Sequence, residues 1–165
     1  LYGMKLYYNE NSLRTNINRL KKALNTNFRH PKYALIKINN AKEYLKYRRI
    51  MYMQINYLIM RNYLRIAAQY DKRRIYFYDS EVAKRIRESL KIAEQLYFEA
   101  LPYWKKTKHY AKKASEVKIT LDMGNIESKR YSIIHGETDF GRIIAGYLNR
   151  LKQKRKKLDN YTGQK

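Results

Sequence analysis

Few residues in this chain have the type and spacing that chemistry requires. His30, His109 and His135 share no metal-ligand spacing. His30 stands beside Pro31, and His109 lies in a lysine-rich stretch whose field repels a cation. There is no HExxH pattern and no cysteine, so thiolate zinc sites, Cys nucleophiles and disulfides are excluded. Surface and helix-end roles suit the three imidazoles better. Gly136 and Gly141 have the spacing of a phosphate-binding loop. Arg142 and Ile143, however, stand where that loop needs Lys and Ser/Thr, and Glu137 and Asp139 would repel phosphate. The pair reads as a turn before a helix.

General acid–base work needs carboxylates in a sheltered pocket. Glu81, Glu88, Glu94, Glu99 and Glu116 instead fall on helical stretches among lysines and arginines, where solvated intrahelical pairs account for them. No serine stands in a nucleophile-elbow context. No catalytic residue, cofactor or metal is therefore expected, and the chain reads as a non-enzymatic binder.

What the sequence offers for binding is charge and aromatic area. Lys+Arg number 37 against 14 Asp+Glu, a formal charge of +23 that attracts polyanions. Lys, Asn, Ile and Tyr all use A/T-rich codons, so base composition is a competing source of the same bias. Tyr outnumbers the other aromatics, 18 against 4 Phe and 1 Trp. Lys46, Arg48 and Arg49 interleave with Tyr44, Tyr47 and Tyr52; Lys72, Arg73 and Arg74 precede Tyr76, Phe77 and Tyr78; and several lysines surround Tyr103, Trp104 and Tyr110. Cations beside aromatic faces hold single-stranded nucleic acid. Tyr also serves protein recognition, giving rigid area with a polar tip. Tyr44, Tyr47, Arg48, Tyr103, Trp104 and Lys108 are the candidate partner-binding residues, although each also suits a core position. The first expectation is an acidic protein partner. The alternative is RNA or DNA held by Lys/Arg patches and Tyr stacking, and a peripheral anionic membrane is a third option. No apolar run is long enough for a transmembrane helix.

The elements that must carry these residues are helices. With 6 Gly and 2 Pro, turn material is too scarce for a many-stranded β fold. Asn9 can cap a helix with Leu13, Ile17, Leu20 and Leu24 on one face. Residues 25–30 read as a loop, with Pro31 opening a second helix. Ala34, Ile38, Ala41, Leu45, Tyr52, Ile59, Tyr63, Ile66 and Tyr70 keep helical spacing, which predicts an unbroken helix of about forty residues, or about 60 Å. Apolar residues on almost every side between Met51 and Met60 make it the central element.

Asp71 to Tyr78 breaks the pattern, and Asp79 or Ser80 can cap a third helix with Val82, Ile86, Leu90, Ala93, Tyr97, Ala100 and Trp104 inward. Pro102 should kink that helix or start a new one, and Tyr110, Ala111, Ala114 and Val117 carry helical spacing onward. A break follows at 123–125. Residues 129–135 alternate at Tyr131, Ile133 and His135 but lack a pairing strand, and read as helical. Thr138 or Asp139 caps a last helix with Ile143, Ile144, Tyr147, Leu148 and Leu151 inward, ending in the cations of 154–157.

Ala93, Tyr97, Ala100, Leu101 and Pro102 resemble the second helix of a tetratricopeptide repeat. The first half of that repeat is unmatched, and no second copy follows at the family's spacing. The texture is similar to tetratricopeptide-like scaffold proteins of AT-rich bacteria such as spirochaetes, some of which assemble around periplasmic flagella. The resemblance implies protein–protein assembly without catalysis, in a bacterial periplasm or cytoplasm, with the periplasm favoured. The sequence reading is thus all-α: an antiparallel bundle or repeat-like array with one very long central helix. Residues 1–158 form a single helical domain and 159–165 a frayed tail, in what the start at Leu1 suggests is a processed or excised part of a longer chain.

Overall fold

A computed structural model of the chain describes residues 9–71 and 80–162. These form five α-helices: α1 (Glu10–Leu24), α2 (Ala41–Tyr70), α3 (Ser80–Ser115), α4 (Asn125–Ile134) and α5 (Phe140–Thr162). The protein is an all-α bundle. The two long helices, α2 and α3, run antiparallel, as the stacked pairs Tyr52–Tyr110 and Tyr63–Tyr103 show. Lys21 of α1 reaches Tyr63 of α2 and lies 5.7 Å from the Tyr103 ring of α3. On another face of the pair, α5 packs antiparallel to α3 through Tyr97–Tyr147 and Trp104–Phe140.

Helix starts follow local chemistry. Asn9 caps α1 by accepting a hydrogen bond from the Ser12 amide at 2.8 Å. Asn40 accepts from the Glu43 amide while the Glu43 carboxylate accepts from the Asn39 amide, a reciprocal cap. That cap shortens the expected forty-residue helix. Pro31 opens only a 3₁₀ turn, Pro31–Tyr33, and α2 spans 30 residues, about 45 Å. The longest helix is α3, with 36 residues.

Ala34 and Ile38 are not helical: with Ile36 they are the inward residues of an irregular strap, the residues between them being exposed. A spacing of four satisfies a period of two as well as 3.6, and here the shorter period holds. A second strap, residues 117–123, buries Val117, Leu121 and Met123 and half-buries Ile119, so the helical spacing read as far as Val117 ends at Ser115.

α3 passes through Pro102 without starting a new helix. Pro102 and Phe98, whose carbonyl loses its usual donor, both lie on the exposed face, where water can substitute. The inward stripe is Ala83, Ile86, Leu90, Ala93, Tyr97, Ala100 and Trp104; Val82 is exposed instead. On α2, Ala41 and Leu45 are likewise exposed, and Ile50, Met53, Ile59, Met60 and Ile66 carry the core. Burying each such side chain contributes about 1.5–3 kcal/mol.

Residues 129–134 are helical, as expected. α4 ends in a Schellman turn: Gly136 at φ 74° lets the Glu137 amide reach Ser132 and its own amide reach Ile133. Asp139 then caps α5 through the Gly141 and Arg142 amides. Ile143 faces solvent, whereas Ile144, Leu151 and Leu158 are buried. α5 continues to Thr162, past the expected end, so residues 154–157 lie mid-helix.

Candidate interaction surface

Three carboxylates, Asp71, Glu94 and Asp159, tie helices together along one seam. Asp71, 3% exposed at the end of α2, accepts from Tyr97 Oη at 3.0 Å, from Lys154 Nζ at 2.7 Å and from the Arg150 guanidinium. Burial pushes the Asp71 carboxyl up, but the bonds from Lys154, Arg150 and Tyr97 outweigh it and hold it below its ordinary value. Burial and the Asp71 charge raise the Tyr97 phenol well above its usual range. Next along the same seam, Arg155 binds Glu94 with both nitrogens at 3.0 and 2.9 Å, and Arg87 meets Asp159 at 3.1 Å. Lys154 and Arg155, expected as helix-end cations, are therefore ties between helices.

The other end of the bundle is fastened by two neighbours on α2. Lys46, 4% exposed, donates to the Ile119 carbonyl of the second strap and lies 3.7 Å from Glu127. Burial holds its ammonium below the ordinary lysine value, with Glu127 opposing. Tyr47, 5% exposed, accepts from the Leu35 amide of the first strap at 3.1 Å.

The six candidate partner-binding residues fall into two groups some 16 residues apart along α2, about 24 Å. In the first, Tyr47 is core, and Tyr44 is half-buried, donating to the Arg29 carbonyl at 2.5 Å. Arg48 is exposed, its guanidinium 5.4 Å from the Phe28 ring centre and 5.7 Å from that of Tyr44. In the second, Trp104 is core at 2% exposure, Tyr103 is half-buried against Tyr63, and Lys108 is exposed, 5.9 Å above the Trp104 ring. Tyr47 and Trp104 thus serve packing, which leaves Arg48 and Lys108 as the exposed members. Glycine at 141 permits the close approach at Trp104, since a Cβ there would stand 3.3 Å from its indole nitrogen.

A groove beside the first group was not anticipated. It measures about 450 Å³ and lies between the end of α1, residues 26–29 and α2. Phe28 and Ile55 supply apolar surface, and Arg19, Lys22 and Arg29 the rim. Phe28 packs edge-on against Tyr52 at 5.0 Å, with Arg48 over its face. Arg19, Lys22, Arg29 and Arg48 are exposed and make no ion pair among the described residues. One aromatic residue amid polar and cationic neighbours in a loop was the available sequence signal. The run of cations and aromatics at 72–78 lies outside the described residues.

The histidines take local roles. His30 accepts from the Lys32 amide, His109 is exposed with its ring against Tyr110, and His135 stacks on Tyr131. Among the described residues no cluster of three His, Asp or Glu is placed to hold a metal ion, and no helix is long and apolar enough to cross a membrane.

A family model described as a domain of unknown function, DUF8513, matches residues 42–161. The chain belongs to this family. DUF8513 here takes in α3, α4 and nearly all of α2 and α5, and so includes the Asp71 seam. The matched span leaves out α1 and Phe28. No curated protein and no solved structure matches the chain.

Proposed function

We propose that the protein is a non-enzymatic helical scaffold or adaptor that docks an acidic protein segment in the groove at Phe28. One observation carries this reading. The Asp71, Glu94 and Glu127 carboxylates are engaged between or within helices, while Arg19, Lys22 and Arg29 line a groove with Phe28 and Ile55, Arg48 lies over the Phe28 ring, and none of these four cations has an ion pair among the described residues. An apolar centre with a cationic rim is the complement of an amphipathic segment with acidic flanks: the centre supplies affinity, and the rim supplies steering and orientation.

Capture of partners from the native cell, after nuclease treatment and at low and moderate salt, tests the proposal when paired with the variant Arg19→Glu/Lys22→Glu/Arg29→Glu. The reading expects proteins that survive nuclease and moderate salt on the wild-type chain and are lost on the variant. Partners held equally by both chains would rule out the groove.

A second reading, nucleic-acid binding, draws support from the contact of Phe28 with Tyr52 and of Tyr52 with Tyr110 beside free cations. Against it, Arg48 already covers the Phe28 face and the tyrosines stack on each other, which leaves little ring area for bases. Steep loss of binding with salt, together with loss on nuclease treatment, would favour it.

A further inference from the structure

A cavity of about 530 Å³ opens where the first turns of α2, the end of α3, the second strap and α4 meet. Lys46 lines it from α2, Glu127 and Arg130 from α4, and Lys118 from the strap. Lys46 and Arg48 stand two residues apart, about 200° around the helix, so this cavity and the Phe28 groove face opposite sides of α2. Val117 and Ile119 give the cavity an apolar wall, and the exposed Tyr131 and Ile134 form its rim. Its volume is that of a small-molecule site.

The charges in its wall do not balance. The side chains of Lys46 and Arg130 are only 5% and 13% exposed, and they share one carboxylate. Glu127 accepts from Arg130 at 2.6 and 2.9 Å and lies 3.7 Å from Lys46. The other bonds of the two cations go to neutral oxygens, the Ile119 carbonyl and the Ser115 hydroxyl. Lys118, exposed at the mouth, adds a third cation and makes no ion pair among the described residues. No further carboxylate answers them. Glu116 is held by Arg49 and Lys113, and Asp122 and Glu137 line a neighbouring groove, not this cavity. A buried positive charge in excess is costly, and an anion in the adjoining space offsets that cost. The strain falls on Lys46: burial holds its ammonium below the ordinary lysine value, with Glu127 opposing and the Arg130 and Lys118 charges adding to the burial.

We propose that this cavity binds one organic monocarboxylate with an apolar body, its carboxylate meeting Lys46 and Lys118 and its body lying against Val117, Ile119 and Ile134. The buried excess is a single charge, which a monoanion matches and a phosphate dianion would overshoot. The apolar wall favours a carboxylate carrying hydrocarbon over a bare ion. Its source is a free acid or the C-terminal carboxylate of a peptide. The site is independent of the docking groove, and either can fail alone.

Calorimetric titration of the full chain with phenylacetate, at fixed ionic strength with chloride as the balancing anion, is the test. One saturable site is expected, weakened about tenfold or more in Lys46→Met and severalfold in Lys118→Gln, whose exposed position spares the fold. Phenylacetamide, the neutral isostere, should not bind over the same concentrations. On the unmutated chain the Lys46 side-chain resonances should shift as phenylacetate is added, a readout that does not depend on a variant's folding. N-acetylphenylalanine as a second titrant separates the sources: tighter binding than phenylacetate assigns the site to a peptide terminus, weaker binding to a free acid. Absence of a saturable site, equal binding of phenylacetamide, or Lys46 resonances that stay unmoved would overturn the proposal.

Discussion

The seam between α3 and α5 and the groove beside α1 use the same residue types for opposite ends. At the seam, Arg150, Lys154 and Arg155 are matched to Asp71 and Glu94, and their charge is turned inward to fix one helix against another. At the groove, Arg19, Lys22, Arg29 and Arg48 make no ion pair among the described residues; the first three line it with Phe28 and Ile55, and Arg48 lies over the Phe28 ring. A net charge of +23 is thus not one property of the chain. Part of it is structural and cancelled locally, and part, at the groove, has no ion pair among the described residues. Cations at the seam should matter for stability and little for association, and those at the groove the reverse.

The largest expected effect is at the seam. Asp71→Asn removes the buried carboxylate that meets Tyr97, Arg150 and Lys154, and should destabilise the fold by about 3 kcal/mol in denaturant unfolding. The same group sets a pH dependence. Its folded pKa lies below the unfolded value of about 3.9, so its contribution is complete well above that value and is lost as pH falls through the folded pKa. The thermal midpoint should therefore drop as pH falls below about 4, and drop less in Asp71→Asn than in the wild type. Glu94→Gln weakens a partly exposed bidentate pair, and about 1 kcal/mol is expected from the same unfolding experiment. The smallest stability effect belongs to the groove. Each single reversal, Arg19→Glu or Arg29→Glu, should move stability by about 0.5 kcal/mol or less while weakening an acidic ligand severalfold by fluorescence anisotropy. A groove variant that unfolds the bundle, or a seam variant that is silent, would erase the distinction.

Much of the framework was legible in the residues. Asn9, the run through Tyr70, the stripe from Ile86 to Trp104 and the Asp139 cap all follow from period and capping chemistry, which act over a few residues. What escaped depends on partners distant in sequence. Asp71 read as a break in a pattern, because its three donors lie on other helices, 26 to 83 residues away. Tyr47 and Trp104 suited docking and the core alike, because composition cannot tell an exposed ring from one that packs inward. Lys46 is buried because a strap carbonyl meets it, 73 residues on.

Two features were present and misread. Val117, Ile119, Leu121 and Met123 alternate with polar residues, a period of two that marks the second strap. Asn39 and Asn40 before Glu43 form a cap that ends the first. Phe28 was passed over inside a polar loop, although an isolated aromatic among cations is an unusual thing to leave in water.

The division of charge is tested most directly by titrating the full chain with a labelled acidic amphipathic peptide and, separately, with a single-stranded RNA of equal charge, at two salt concentrations. The account predicts peptide binding that persists at the higher salt and falls about tenfold in Arg19→Glu/Lys22→Glu/Arg29→Glu. Tighter binding of the RNA with a steep salt slope, and peptide affinity unchanged by the triple reversal, would contradict it.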